Sequence, residues 1–331
     1  MRAIVLHRPG RIEAQPLAFE PRDRPVPGPG QILVRVSTCG VCHTDLHLTE
    51  GEIVPPHYPV IPGHQVAGIV EALGTGVVEP AVGRRIGVAW LGWACGECAA
   101  CRRGDENLCP QARFTGFHQD GGFAEWILAE ASFALALPDS IDDHLAAPLL
   151  CAGIIGYRAL RKADLHPGEV LGLIGFGASA HLALQVARHW GCTVYVLTRT
   201  PSHRQLAASL GAAWVGGLDD EVPRPIDRAV LFAPDGKIVP RILPRLRPGG
   251  TLAINAIHMS PIPEMPYDLL YGERTLRSVS NATRRDGREF LTLAEEIGLR
   301  PTVRVYPLEQ ANTALEDLKM SRFEGAAVLQ L

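Results

Sequence analysis

The sequence contains no apolar run long enough to cross a membrane. The longest, around Leu145–Ile155, is broken by Pro148, Gly153 and Gly156, whereas a spanning helix needs about 20 consecutive apolar residues. Basic residues are not in excess: 32 Lys and Arg against 35 Asp and Glu give a formal net charge of −3. That balance gives no sign of a nucleic-acid or anionic-membrane partner. No repeat, linker or low-complexity tract interrupts the chain. The opening MRAIVLHRPG lacks the apolar core of a secretion signal, so a cytoplasmic location is expected. What remains is ordinary globular composition, 47% hydrophobic and 20% charged, and 331 residues are enough for two domains with cores of their own.

Eight cysteines are present. In a reducing compartment they read as metal ligands before disulfides. Cys95, Cys98, Cys101 and Cys109 lie within one short loop. Four soft thiolates at that spacing suit tetrahedral zinc with no coordination position left open, which makes the site structural. An iron–sulfur cluster also takes four cysteines, but seven residues separate Cys101 from Cys109, against three in the ferredoxin run.

The first 150 residues are rich in Gly and Pro, with strand-like stretches at Ile32–Val36, Val66–Leu73 and Arg85–Ala89. They read as a mostly β domain. From Gly168 the text alternates: strand Glu169–Ile174, helix Ala178–Trp190, strand Thr193–Leu197, helix Ser202–Leu210, then Asp227–Phe232, Ile238–Leu246 and Thr251–Ile254. That rhythm predicts a parallel sheet covered on both faces. A helix at Gly287–Ile297, a strand at Thr302–Tyr306, a helix at Leu308–Met320 and a strand at Gly325–Leu329 close the chain.

Gly175-Phe176-Gly177-Ala178-Ser179-Ala180 follows a strand and opens a helix, the context a dinucleotide-binding turn requires. Ala180 replaces the third glycine and is small enough for close helix–strand packing. The second strand should end on an acidic residue if the cofactor is NAD. This chain has Thr198 and Arg199 there, with Arg204 close behind. A hydroxyl and arginines suit a 2′-phosphate, so NADP is favoured over NAD. Elsewhere, Cys42, His64 and Cys151 would give a three-ligand metal site with one open position. By composition alone, Cys39 and Cys151 read equally as small buried hydrophobes and His64 as a turn residue.

The stretches CGVCHTDLH (Cys39–His47), PGHQVAGIVEALGTGV (Pro62–Val77), CGECAACRRGDENLC (Cys95–Cys109), LLCAGIIGYRAL (Leu149–Leu160) and GLIGFGASAHLALQVAR (Gly172–Arg188) resemble the zinc-containing medium-chain alcohol dehydrogenases. The resemblance covers essentially the whole chain. It implies an α/β fold in which a Rossmann domain, residues 150–283, is inserted into a mostly β, GroES-like, partly open barrel formed by 1–149 and 284–331. It implies two zinc ions per chain, one catalytic on Cys42, His64 and Cys151 and one structural, with Cys39 in neither set. It further implies that Thr44 bonds the substrate oxygen, that His47 ends a proton relay reached through the cofactor ribose, and that His43 contacts the pyrophosphate. Asp45 would orient the metal site, and Trp90 would wall the substrate pocket.

The sequence departs from the family in two places. Gln65 stands where the family has Glu after the ligand histidine, and Ala326 stands where a pyrophosphate arginine is common. Arg284 is a candidate to replace that arginine. The expected activity is reversible hydride transfer between a primary or short secondary alcohol and NAD(P), in a homodimer or homotetramer. Polyols, aromatic alcohols or dedicated aldehyde reduction are alternative substrate readings, and a zinc-stapled nucleotide-binding protein without turnover is a third.

Overall fold

The computed structural model describes all 331 residues, and they fall into two compact units. The first comprises Met1–Ile154, Asn281–Glu295 and Pro301–Leu331; the second comprises Ile155–Ser280 and Glu296–Arg300. The break after the N-terminal part thus falls at Ile154 rather than at residue 149, which keeps Cys151 with the first unit. No helix is long and apolar enough to cross a membrane.

The first unit is built on strand Gln31–Val41, longer at its C-terminal end than the sequence pattern implied. It runs antiparallel to Val66–Leu73, with register shifts at Leu33/Val34 and Val36/Thr38. Such shifts bend a strand and let a sheet curl. On its other edge it pairs first with Trp126–Glu130 and then with the C-terminal strand Ala326–Gln330. The order across this seven-stranded sheet continues to Val303–Pro307 at one end, and through Arg85–Val88 to Leu135–Ala136 at the other. Ile32, Val34, Val36, Val66, Val70 and Leu329 bury their side chains in one core with the hairpin Arg2–Leu6 and Leu17–Pro21. Ala326 is buried opposite Val303 in this sheet.

The second unit is a six-stranded sheet, parallel throughout. Its spatial order is Trp214–Gly216, Thr193–Leu197, Val170–Ile174, Ile226–Leu231, Leu246–Ile254, Thr275–Ser278. That is the 3-2-1-4-5-6 order of dinucleotide-binding folds, and it reverses between Val170–Ile174 and Ile226–Leu231. Val170–Ile174 is buried at every position, as a central parallel strand must be. One reading needs correction. Ile238–Leu246 is not one helix but short turns, Gly236–Ile238, Val239–Ile242 and Leu243–Arg245, because Pro240 and Pro244 remove the amides a longer helix would use. The sixth strand, Thr275–Ser278, is largely exposed and carries no apolar alternation, so periodicity does not reveal it.

Candidate active site

Strand Gln31–Val41 runs almost directly into helix His43–Glu50. Asp45 fixes the turn between them: the Cys42 N–H donates to its Oδ2 at 2.9 Å. Asp45 Oδ1 accepts from the Gly63 N–H at 3.0 Å and meets His64 Nδ1 at 3.2 Å. One carboxylate therefore ties the helix start to the turn carrying His64 and leaves that ring's Nε2 for another partner. Nε2 is buried and has no hydrogen-bond partner within the protein.

Cys151 arrives from a different part of the chain. Helix Asp143–Pro148 runs into a π-helical turn, Leu149–Gly153, a rare geometry often found at functional sites. The sulfurs of Cys42 and Cys151 and a ring nitrogen of His64 lie within 4.8 Å of one another. Cys39 is not in this cluster. Its sulfur packs beside Gly63 and Gly122, and burial pushes its thiol well up, so it is a small apolar filler.

The electrostatics favour a cation. Burial alone would lower the His64 pKa, but the Asp45 carboxylate and Cys42 outweigh it and raise it to about 10. The Cys151 hydrogen bond holds Cys42 well below the ordinary thiol value, and the same contact, together with burial, pushes Cys151 well up. Two adjacent sulfurs cannot both ionise in a buried site without positive charge between them. Two thiolates and an imidazole are a zinc donor set with one position open.

The relay candidates share the helix after Cys42. The Thr44 hydroxyl is buried and lies 3.7 Å from Cys42 Sγ. His47 is held through Nδ1 by a short contact with Glu52, a partner that sequence reasoning missed because it lies in the loop beyond the helix. His43 is exposed at the helix N-terminus.

Cys95, Cys98, Cys101 and Cys109 bring their sulfurs within 4.8 Å of one another. The Cys98 N–H donates to Cys95 Sγ at 3.4 Å, and the Cys101 N–H donates to Cys98 Sγ at 3.5 Å, so the loop already wraps a common centre. Arg284 does not provide spare basic charge. It is bound to Glu106 in this lobe, with nitrogen–oxygen distances down to 2.6 Å, and its guanidinium lies 4.1 Å over the Phe133 ring.

At the dinucleotide turn, Gly175 has φ +86, and a Cβ there would come within 2.9 Å of the Ala233 backbone nitrogen. Only glycine fits. A Cβ on Gly177 would meet nothing within 4 Å, which leaves room for a ligand over the start of helix Ala178–His189. Ala180 is fully buried. Thr198 is buried at the end of its strand, Arg199 is exposed, and Arg204 Nε donates to the Thr198 carbonyl at 2.9 Å.

Comparison with known proteins decides the family. Residues 28–139 match the alcohol dehydrogenase GroES-like domain. The chain is 47% identical to a Mycobacterium tuberculosis protein described as "probable alcohol dehydrogenase AdhA", over 99% of this chain and 97% of that one. It belongs to the zinc-containing medium-chain alcohol dehydrogenases. A thermostable alcohol dehydrogenase from Pyrobaculum aerophilum superposes with a TM-score of 0.92 at 26% identity, covering 100% and 99% of the two chains. A cinnamyl alcohol dehydrogenase from Sorghum bicolor gives 0.91 at 27%, covering 99% and 97%. The fold is therefore the GroES-like plus Rossmann pairing, and the protein is an alcohol dehydrogenase.

Beside the Cys42, His64 and Cys151 cluster of this dehydrogenase stands an aromatic group. Trp90 meets the His64 ring edge-on at 4.9 Å, stacks on Phe114 at 5.0 Å and lies 6.0 Å from Phe117. The family resemblance named only Trp90; Phe114 and Phe117 join it through tertiary packing. Gln65 is buried against Gly40, where a Cβ would approach its side chain to 2.9 Å.

Proposed function

We propose that the enzyme catalyses reversible hydride transfer between a primary or short secondary alcohol and NADP(H) or NAD(H), with catalytic zinc held by Cys42, His64 and Cys151. The observation that carries this reading is the unpartnered, buried His64 Nε2 beside two convergent sulfurs. Bound zinc supplies Lewis acidity, which lowers the pKa of an alcohol oxygen toward neutrality. Asp45 holds His64 in orientation and fixes which ring nitrogen faces the ion. The Thr44 hydroxyl accepts the proton of the alcohol, and His47, steadied by Glu52, exchanges it with solvent. Gly175, Gly177 and Ala180 seat the pyrophosphate at the helix N-terminus, and His43 contacts it. Thr198, Arg199 and Arg204 form the site for the adenosine ribose and favour a 2′-phosphate. A second zinc on Cys95, Cys98, Cys101 and Cys109 is structural.

The aromatic wall of Trp90, Phe114 and Phe117 favours aromatic alcohols as a second substrate class, since stacked rings accept another ring edge-on or face-on. A second copy of the chain would cover the unpaired edge of Thr275–Ser278, near the exposed Tyr267 and Tyr271, since an open strand edge is a ready template for pairing with another chain. The test is a panel of aliphatic and aromatic alcohols and aldehydes assayed with both cofactors, alongside Cys151→Ala. Turnover by the parent enzyme, lost in the variant while dinucleotide binding persists, supports the reading. Turnover surviving in Cys151→Ala overturns it.

A further inference from the structure

Glu106 sits in the cysteine lobe between Cys101 and Cys109, and its side chain is only 12% exposed. Its carboxylate accepts from the Arg284 backbone N–H at 2.7 Å, from Nε at 3.0 and 3.1 Å, and from an outer guanidinium nitrogen at 2.6 Å. The remaining nitrogen donates to the Ser132 carbonyl at 3.0 Å, and the guanidinium plane covers Phe133. This is a fully engaged fork, the geometry in which arginine is strongest and most directional.

Arg284 is the first residue of helix Arg284–Glu296. Thr283 and Asp286 bond each other reciprocally at that helix start, at 2.6 to 3.1 Å, so the position of Arg284 sets the position of the helix. The inner face of the helix leaves no slack. A Cβ on Gly287 would come within 2.8 Å of Leu135. Phe290 is completely buried, and a Cβ on Gly153 would come within 2.3 Å of its ring. Gly153 closes the same π-helical turn that carries Cys151. Such a turn is closed by an i→i+5 bond, from the Ile154 N–H to the Leu149 carbonyl, in place of the α-helical i→i+4 ladder, so what packs against it helps to set its shape.

We propose that the Glu106–Arg284 ion pair is a positioning device for catalysis: it seats the helix so that Phe290 supports the turn at Gly153 and keeps the Cys151 sulfur in register with Cys42 and His64. The proposal rests on the reading of Cys151 as a ligand of the catalytic metal. Through this path the four-cysteine lobe acts on the reacting centre as well as on stability. Glu106, Arg284 and Phe290 touch no substrate and are positioning residues.

The test uses full-length enzyme carrying cobalt(II) in the catalytic position and zinc in the four-cysteine lobe. Glu106→Gln and Phe290→Leu are each expected to shift the visible cobalt bands. Each should lower kcat about 10-fold while changing KM less than about twofold, since misplacement of a reacting group by a fraction of an ångström is costly. The double variant should be no worse than the more damaging single one, because both changes act on one path. Arg284→Lys keeps the charge but loses the fork, and it serves if Glu106→Gln does not fold; it should show the same band shift. A lowered melting temperature with parental cobalt bands and parental kcat would overturn the proposal and leave the ion pair a simple brace. Cys151→Ser separates the two readings: if it leaves the cobalt bands unmoved, Cys151 is not a ligand and the ligand reading itself fails.

Discussion

Asp45 meets His64 Nδ1 at 3.2 Å with both side chains almost wholly withdrawn from water. The same carboxylate also accepts the Cys42 and Gly63 amides, so one buried side chain ties Cys42 and His64 together.

Asp45→Asn should therefore weaken metal binding without unfolding the chain. An amide keeps an acceptor for His64 but loses the charge, and it places an NH2 group against one of the two amides. Zinc affinity and kcat should each drop about 10- to 100-fold, the usual cost of removing such a support. Competition with a chelator and steady-state kinetics measure this. Unchanged zinc retention would reduce Asp45 to a helix cap.

The lobe around Cys95–Cys109 has a small apolar centre, with Leu91, Ala94, Cys109 and Phe133 its buried members. So small a core needs a metal to hold it. Cys98→Ser should release one zinc per chain, by atomic emission, and lower the melting midpoint by about 10 °C, the scale set by a loss of several kcal/mol in a domain of this size. A variant that keeps two zinc ions and the parental midpoint would refute the structural assignment.

Cofactor choice should follow the exposed Arg199. A carboxylate at Thr198 would repel a 2′-phosphate, and none is present. NADPH is expected to give the higher kcat/KM. Arg199→Ala should cost NADPH about 10-fold, equivalent to about 1.4 kcal/mol, and NADH little. Thr198→Asp should reverse the preference. A wild-type enzyme that strongly prefers NADH, or equal losses with both cofactors in Arg199→Ala, would show that these residues do not read the phosphate.

His181 is completely buried on helix Ala178–His189, 3.3 Å from the Gly177 carbonyl. Burial lowers its pKa to about 4 against an ordinary value of 6.5, even though contacts with the Gly177 and Ala178 backbone act in the opposite direction. Between those two values the unfolded chain binds the extra proton and the folded one does not. The His181 contribution to stability is therefore complete above pH about 6.5 and declines as the pH falls toward 4. Denaturant midpoints at pH 7.5 and 5 should differ less in His181→Asn than in the parent. An identical pH dependence in both would show that other groups govern acid unfolding.

The sequence by itself determined what short stretches of chain can close. Cys95–Cys109 is one loop, and its spacing alone brings four sulfurs together. Gly175–Ala180 is one turn between a strand and a helix, and its glycines admit only a few backbones. The strands Val66–Leu73 and Thr193–Leu197 were legible because their apolar runs are bounded by turn residues and carry the buried positions. Family resemblance, not spacing, named Cys151. Tertiary structure alone decided how Cys42, His64 and Cys151 converge, since that depends on the bends of Gln31–Val41 and on the π-helical turn beneath Cys151. It alone paired Asp45 with His64, His47 with Glu52, and Arg284 with Glu106. Each pair joins side chains brought together by sheet register or by a loop returning to its helix, and the last spends on the cysteine lobe a charge that read as available for phosphate. Local geometry is encoded in neighbouring residues, whereas a charge's partner is chosen by the whole fold.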